Sequence, residues 1–374
     1  MLRLYRWLLL SWIPMRRLYR EWMHDWETRL TERDTNRVVR PFDWGLEWVE
    51  GWPLVDGEWR GLSGAEAESF VHDLNRRIVS ESDRFFVYDM PLDFRLEGSC
   101  LRFTSPVETP YAENNLVTAR WFPSPHRAKN GRDGDPAARG SRAVVVLPQW
   151  NADAESHAGL CRIFNWLGIS ALRLSLPYHD VRKPAEIERA DYAVSSNVAR
   201  TIDACRQAIA DARSCLDWLE SRGYRQLGIV GTSLGSCYAF IASAHDERLK
   251  VNVFNHASTY FADVVWTGQS TRHIRAGIES DIDLDRLRKA WLAISPASYF
   301  DKFAAYPKKS LLVYATYDLT FPPELSREII TAFRQRNVDH KVAVLPCGHY
   351  TSGETPFKFL DAWHIAKFLE SAFD

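Results

Sequence analysis

Leu227–Tyr238 reads LGIVGTSLGSCY. A short apolar run ends at Gly231, Ser233 follows two residues later, and Gly235 and Ser236 come after it. Small residues on both sides of a serine, where a strand gives way to a helix, admit two readings. One is an ordinary tight turn; the other is a turn built to present Ser233. A sharp strand-to-helix turn holds its serine in a strained backbone conformation, and a bulky side chain at either flank would collide across it. The hydroxyl is then expected to stand exposed above the sheet. The unpaired N–H groups opening the next helix would point at the same spot.

The surroundings decide between the two. "AVVVL" (143–147), "ALRLSL" (171–176), "QLGIV" (226–230), "KVNVFN" (250–255), "SLLVYAT" (310–316) and "HKVAVL" (340–345) are short apolar runs. Helical patterns alternate with them, over 156–168, 194–222, 233–245, 323–336 and 357–371. Continuous rather than alternating apolar runs indicate strands buried on both faces, hence a mostly parallel sheet with helices on each side. Upstream, "FRLEGSCLRFTS" and "NNLVTARWFPS" alternate and read as two antiparallel strands, and 64–80 reads as a helix. Residues 125–142 are Gly, Pro and charge without an apolar anchor and read as a surface loop. Residues 178–200 and 258–300 are less regular and are candidate cap insertions.

In such a sheet, sites lie at the C-terminal strand edges, which is where Ser233 falls. Here the sequence resembles the α/β-hydrolase superfamily, through the G-x-S-x-G elbow at Gly231–Gly235 in its strand–turn–helix setting. The resemblance covers about 95–374; residues 1–60 have no counterpart in it. It implies a serine nucleophile, then an acid, then a histidine in chain order. A serine needs a base to take its proton and a third group to orient that base. His349, in "LPCGHYTSG", directly follows the last strand and is the expected base. His340 begins that strand, and His364 lies inside the last helix beside Trp363. Asp318, in "YDLTFPPE" just past the preceding strand, is the expected acid, with Asp263 as the alternative. For the oxyanion hole the resemblance implies the backbone N–H of Leu234 and one from the loop after "AVVVL". That loop reads "PQWNAD" where relatives carry His-Gly, so Trp150 is the expected second donor and Gln149 the alternative. Tyr178, His179 and Asp180, and likewise "NHASTY" (255–260), fall at the same edge. They either shape the pocket or brace their own loops.

The implied reaction is hydrolysis of an ester-type acyl substrate through an acyl-enzyme, with neither metal nor organic cofactor. Thioester, amide and peptide cleavage and acyl transfer use the same triad. The reading of another class is a non-catalytic scaffold that binds an apolar ligand or partner.

The N-terminal region, 1–60, is set apart from the α/β-hydrolase domain at 61–374. It carries eight of the chain's fifteen tryptophans. Leu4, Leu8, Trp12, Met15, Tyr19, Trp22 and Trp26 fall on one helical face. The first twenty residues hold five arginines and no acid, and Pro14 is expected to kink or split the helix. The apolar run Trp7–Ile13 is too short to span a membrane and lacks a signal-peptide cleavage pattern. Two readings stay open: a helix packed on the main domain, or an interfacial helix over residues 1–30 resting on acidic lipid. The Trp-rich stripe slightly favours a lipid or other apolar ester as substrate.

The 374 residues carry a formal net charge of -1, which gives no field favouring nucleic acid. The six scattered cysteines form no metal or disulfide framework and point to reduced thiols and a cytoplasmic setting.

Overall fold

The computed structural model describes residues 2–55, 57–124 and 141–373, with side-chain detail in the first helix from Met15 onward. The loop expected over 125–142 therefore lies outside the described residues, apart from its last two. These two open a strand.

Six apolar runs form the strands β4 (Ser141–Leu147), β5 (Ile169–Leu174), β6 (Tyr224–Thr232), β7 (Leu249–Asn255), β8 (Lys309–Ala315) and β9 (Asp339–Leu345). Upstream there are three strands rather than the expected two. The run "FRLEGSCLRFTS" breaks at Gly98, whose φ of 58° suits glycine in a tight hairpin. It becomes β1 (Arg95–Glu97) and β2 (Cys100–Thr104), followed by β3 (Leu116–Phe122). The order across the nine described strands is β1-β2-β3-β5-β4-β6-β7-β8-β9. β1, β2, β3 and β5 pair antiparallel, and from β5 to β9 every pair is parallel.

Alternate residues of β4 enter two separate cores. Ala143, Val145 and Leu147 belong to one cluster, Val144 and Val146 to the other. That is what a strand covered on both faces must do. The first core takes in α2 (Gly64–Ser80), the single turn α3 (Ser82–Phe85), α6 (Val198–Ser221) and α7 (Leu234–Ala244), while the single turn α4 (Ala112–Asn115) lies against β3. The second holds α5 (Ala158–Trp166) and, further on, the C-terminal helix described below. It also receives Met23 of α1 (Leu2–Thr31).

Register places the site. Leu147 pairs with Gly231, Thr232 with Asn255, Asn255 with Val313, and Ala315 with Leu345. The residues after these strands, including Ser233, His256, Asp318 and His349, are therefore delivered to one rim. Past β7 the chain turns through α8 (Phe261–Thr267) above that rim, then α9 (Arg272–Ile278), α10 (Leu284–Ala290) and α11 (Phe300–Ala304), the last of which packs on α7 and α12 (Pro323–Gln335). It then continues through α12 to α13 (Phe357–Phe373), which closes the second core. The described residues of 41–60 are irregular apart from a bridge from Asp43 to Asn197 and a 3-10 turn at Leu46–Val49, and Trp52 from this stretch donates to buried Asp203 at 2.7 Å.

α1 is one helix that Pro14 does not divide. Its C-terminal half docks on the sheet domain, with Met23, Glu27 and Leu30 buried. The docked face is rotated from the expected stripe. Tyr19 and Trp26 pack inward, but Met15 and Trp22 stay exposed at 58% and 47%. No described helix is long and apolar enough to cross a membrane.

Candidate active site

The elbow forms for the steric reason its sequence suggests. A Cβ on Gly231 would lie 2.7 Å from the Ala239 Cβ, and one on Gly235 would lie 2.5 Å from the Pro148 carbonyl oxygen. Only glycine lets the strand, the turn and the loop after β4 approach this closely. Ser233 has φ 56°, ψ −119°, a conformation a non-glycine residue holds only when its surroundings impose it. Its N–H donates to Asn255 O at 2.8 Å, and its carbonyl accepts from Ser236 N–H and Oγ at 2.8 and 2.7 Å.

Three expected side chains meet. His349 Nε2 lies 3.0 Å from Ser233 Oγ, and His349 Nδ1 lies 3.0 Å from Asp318 Oδ2. An ionised carboxylate only accepts, so Nδ1 carries the proton and Nε2 is left to accept from the serine hydroxyl. Asp318 Oδ1 in turn accepts the N–H groups of Thr320 and Phe321 at 2.8 and 2.6 Å. Phe321 stacks on the imidazole of His349 at 5.1 Å and 2°.

Electrostatics sharpen the arrangement. Burial pushes the Asp318 carboxyl up, but His349 and His256 outweigh it and hold the group well below the ordinary carboxylate range. Burial pushes the His349 imidazole down, while the charge and hydrogen bond of Asp318, helped by Glu27, leave it above its ordinary value. An ionised acid beside a base with raised affinity for protons is the pairing a serine nucleophile requires.

One feature goes unseen in the sequence. His256 Nδ1 lies 2.9 Å from the same Asp318 oxygen that holds His349, and the two rings stand 4.5 Å apart. Asp318 Oδ2 is thus shared by two imidazoles. "NHASTY" gives the position of His256 at the rim but not its partner. His256, Asp318 and His349 offer donor atoms within 4.8 Å of one another. A metal there would have to displace both Nδ1 protons and take the base from Ser233.

The remaining expectations fall as follows. Asp263, the alternative acid, is paired instead with Arg288, at 3.2 Å through one oxygen. Leu234 and Trp150 both wall the cavity that holds Ser233. The Leu234 N–H is the first of α7 and has no intrahelical acceptor. The loop of Trp150 is tied down by His179, whose Nε2 accepts from Asn151 N–H at 3.0 Å. Burial drives the His179 pKa down to about 4, so it stays an acceptor at neutral pH. Asp180 bonds Arg173 and Ser175, bracing its own loop. Tyr178 is fully buried in the core. Cys347 is buried beside Gly348.

Ser233 is not exposed above the sheet, as the elbow alone suggests. It is 5% accessible, because the chain past β7 folds back over it. Val194, Phe261, Val264, Val265, Thr271 and Phe321 close a cavity of about 40 Å³ around it. A wider groove of about 520 Å³ near Trp44 and Ser63 carries none of these groups and no histidine.

A mostly parallel sheet with a serine elbow after β6, and an acid and a histidine past β8 and β9, is the α/β-hydrolase fold. The comparisons agree. The family model described as "Alpha/beta hydrolase domain containing 18" matches residues 163–314, a stretch that holds Ser233 but neither Asp318 nor His349. Among solved structures, the chain is similar to Pyrococcus horikoshii acylaminoacyl peptidase, with TM-score 0.53 and 13% identity over 74% of this chain and 41% of that one. The chain thus spans less than half the length of that peptidase. It is also similar to the acetyl xylan esterase from Paenibacillus sp. R4 (TM-score 0.53, 12% identity, 82% of this chain and 95% of that one). Acetyl xylan esterase 1 from Thermoanaerobacterium sp. JW/SL YS485 gives TM-score 0.52 at 11% identity, over 87% and 99% of the two chains. No curated protein matches the chain significantly in sequence.

Proposed function

We propose that the chain is a serine hydrolase that cleaves an ester-type acyl substrate through an acyl-enzyme. The observation that carries this is the unbroken line from Ser233 Oγ through His349 to Asp318, two contacts of 3.0 Å each. Ser233 Oγ attacks the acyl carbonyl carbon as its proton passes to His349 Nε2. The carbonyl oxygen becomes an oxyanion, held by the N–H groups of Leu234 and Trp150. As the carbon–oxygen bond breaks, His349 gives that proton to the leaving alcohol. Water then adds to the acyl carbon, its proton passes through His349 to Ser233 Oγ, and the acid departs. Asp318 keeps the imidazole in the required tautomer and stabilises its charged form. The esterase and peptidase names of the structural neighbours are consistent with acyl chemistry.

The cavity walls are mainly apolar, which favours an apolar acyl group. At about 40 Å³ the closed cavity is far below the roughly 300–1,000 Å³ of ordinary ligand sites. We read residues 178–200 and 258–300 as a cap of which only the part lining the cavity, Val194 and α8 with the turn after it, must move before a long acyl chain enters. Residues 1–30 are the candidate membrane contact. Exposed Met15, Leu18 and Trp22 share two turns with Arg16, Arg17 and Arg20, the composition an interfacial helix uses. The reduced cysteines fit a cytoplasmic location.

A panel of acyl esters of graded chain length, run against wild type and Ser233→Ala, tests the proposal. Wild type should hydrolyse at least one class, and Ser233→Ala should fall by about 10³-fold or more. Equal rates for the two proteins would return the chain to the non-catalytic scaffold reading.

A further inference from the structure

We infer that α1 completes the catalytic site, with Glu27 as a positioning residue that fixes the His349 loop from outside the sheet domain. This rests on the hydrolase reading above.

Glu27 is fully buried, although it sits on a helix that the sequence sets apart from the hydrolase domain. Its carboxylate crosses to the loop directly after His349. Oε1 accepts Tyr350 N–H at 2.7 Å, and Oε2 accepts Thr351 N–H and Thr351 Oγ at 3.0 Å each. Thr351 Oγ in turn accepts Gly348 N–H at 2.6 Å. The backbone on both sides of His349 is therefore tied to one carboxylate. Gly348 is small for a matching reason, since a Cβ there would lie 2.6 Å from Glu27 Cδ. Two further contacts hold α1 in place: Tyr19 donates to Pro346 O at 2.6 Å, and Thr28 Oγ1 accepts from Gln269 at 3.0 Å. Gln269 N–H bonds Leu319 O, next to Asp318. One helix thus braces the loops of both the base and the acid.

A buried carboxylate with three donors does more than fill space. The loop it holds must place an imidazole nitrogen within hydrogen-bond reach of Ser233, and small displacements there cost rate steeply. Its charge also favours the imidazolium that forms during reaction. Other charged and titratable groups near this pair are Asp318 and His256 at the sheet rim, Cys347 and Tyr350 on the loop, Asp361 on α13, and Arg37, Asp34 and Arg189 near Tyr350. Burial, with Asp318 adding to it, raises the Glu27 carboxyl above its ordinary value, and the Thr351 and Tyr350 N–H groups and His349 offset part of that rise.

The test uses the full chain and the rate of fluorophosphonate attachment to Ser233 across pH, which needs no identified substrate. Glu27→Gln keeps the size of the side chain but removes its charge and turns one acceptor into a donor. It should label Ser233 at least tenfold more slowly, with the acid limb of the profile moved to lower pH. Thr351→Val keeps the charge and removes one donor. It should slow labelling several-fold and leave the acid limb in place. A folded Glu27→Gln variant, judged by circular dichroism, that labels at the wild-type rate with an unmoved limb would overturn the inference. If Glu27→Gln does not fold, Thr351→Val labelling at the wild-type rate would overturn it instead. A wild type that takes no label contradicts the hydrolase reading itself, an outcome distinct from either.

Discussion

Asp318 carries more partners than orienting one base requires. Two imidazoles converge on Oδ2 and two backbone N–H groups on Oδ1. Hydrogen bonds to a carboxylate lower its basicity, so His256 draws off part of the charge that would otherwise favour protonated His349. Replacing His256 with Asn, which tolerates its φ of 57° but is too short to reach Asp318, should return that charge to His349. Activity requires neutral His349 and is lost as pH falls through its pKa, so raising that pKa moves the acid limb upward. We expect a displacement of up to about one pH unit, read from the pH dependence of hydrolysis or labelling. An unmoved limb would show that His256 does not share Asp318 in solution.

At the scale of elements, the central β-strands were legible because burial on both faces leaves one signal, a continuous apolar run. The meeting of Ser233, Asp318 and His349 was legible because the chain order that the α/β-hydrolase resemblance implies, together with rim position, narrows eleven histidines to one. His256 and Glu27 were not, since each acts through a contact between residues far apart in the chain. Nothing in "NHASTY" or in the Trp-rich stripe encodes such a contact. The stripe itself misled in part, because the buried anchor of α1 includes a carboxylate, Glu27, that a hydropathy pattern assigns to the solvent face. The burial of Ser233 was missed for the same reason, since the irregular chain past β7 has no period from which to place it. The elbow glycines, by contrast, yield a direct prediction. Gly235→Ala sets a Cβ against the backbone of Leu147 and Pro148, which cannot yield as a side-chain tip does. We expect a loss of about 1–3 kcal/mol in denaturant unfolding, with slower labelling because the Trp150 loop is pushed. Wild-type stability in Gly235→Ala would contradict the steric account of the turn.

At the scale of the whole molecule, the described side chains of α1, from Met15 onward, fall into two groups. Its C-terminal part, from Tyr19 through Leu30, is built into the second core and the His349 loop. Met15 and Leu18 lie outside that contact, exposed at 58% and 64% among arginines. Flotation with vesicles rich in acidic lipid separates packing from membrane contact. The full chain should rise with the vesicles, less so at high salt, and replacing Met15, Leu18 and Trp22 together with Ser should abolish this while leaving Ser233 labelling intact. Equal flotation of the two proteins would remove the membrane reading. The triple replacement is preferred to deleting residues 1–30, because deletion takes Glu27 with it and confounds membrane contact with the integrity of the site.

The central claim is that Ser233, His349 and Asp318 act as one proton-passing unit. Intact-mass measurement after exposure to a fluorophosphonate tests it most directly. Wild type should gain one adduct, Ser233→Ala none, and His349→Ala or Asp318→Asn only a trace in the same time. A wild type that stays unmodified, or an adduct that persists in Ser233→Ala, would contradict it.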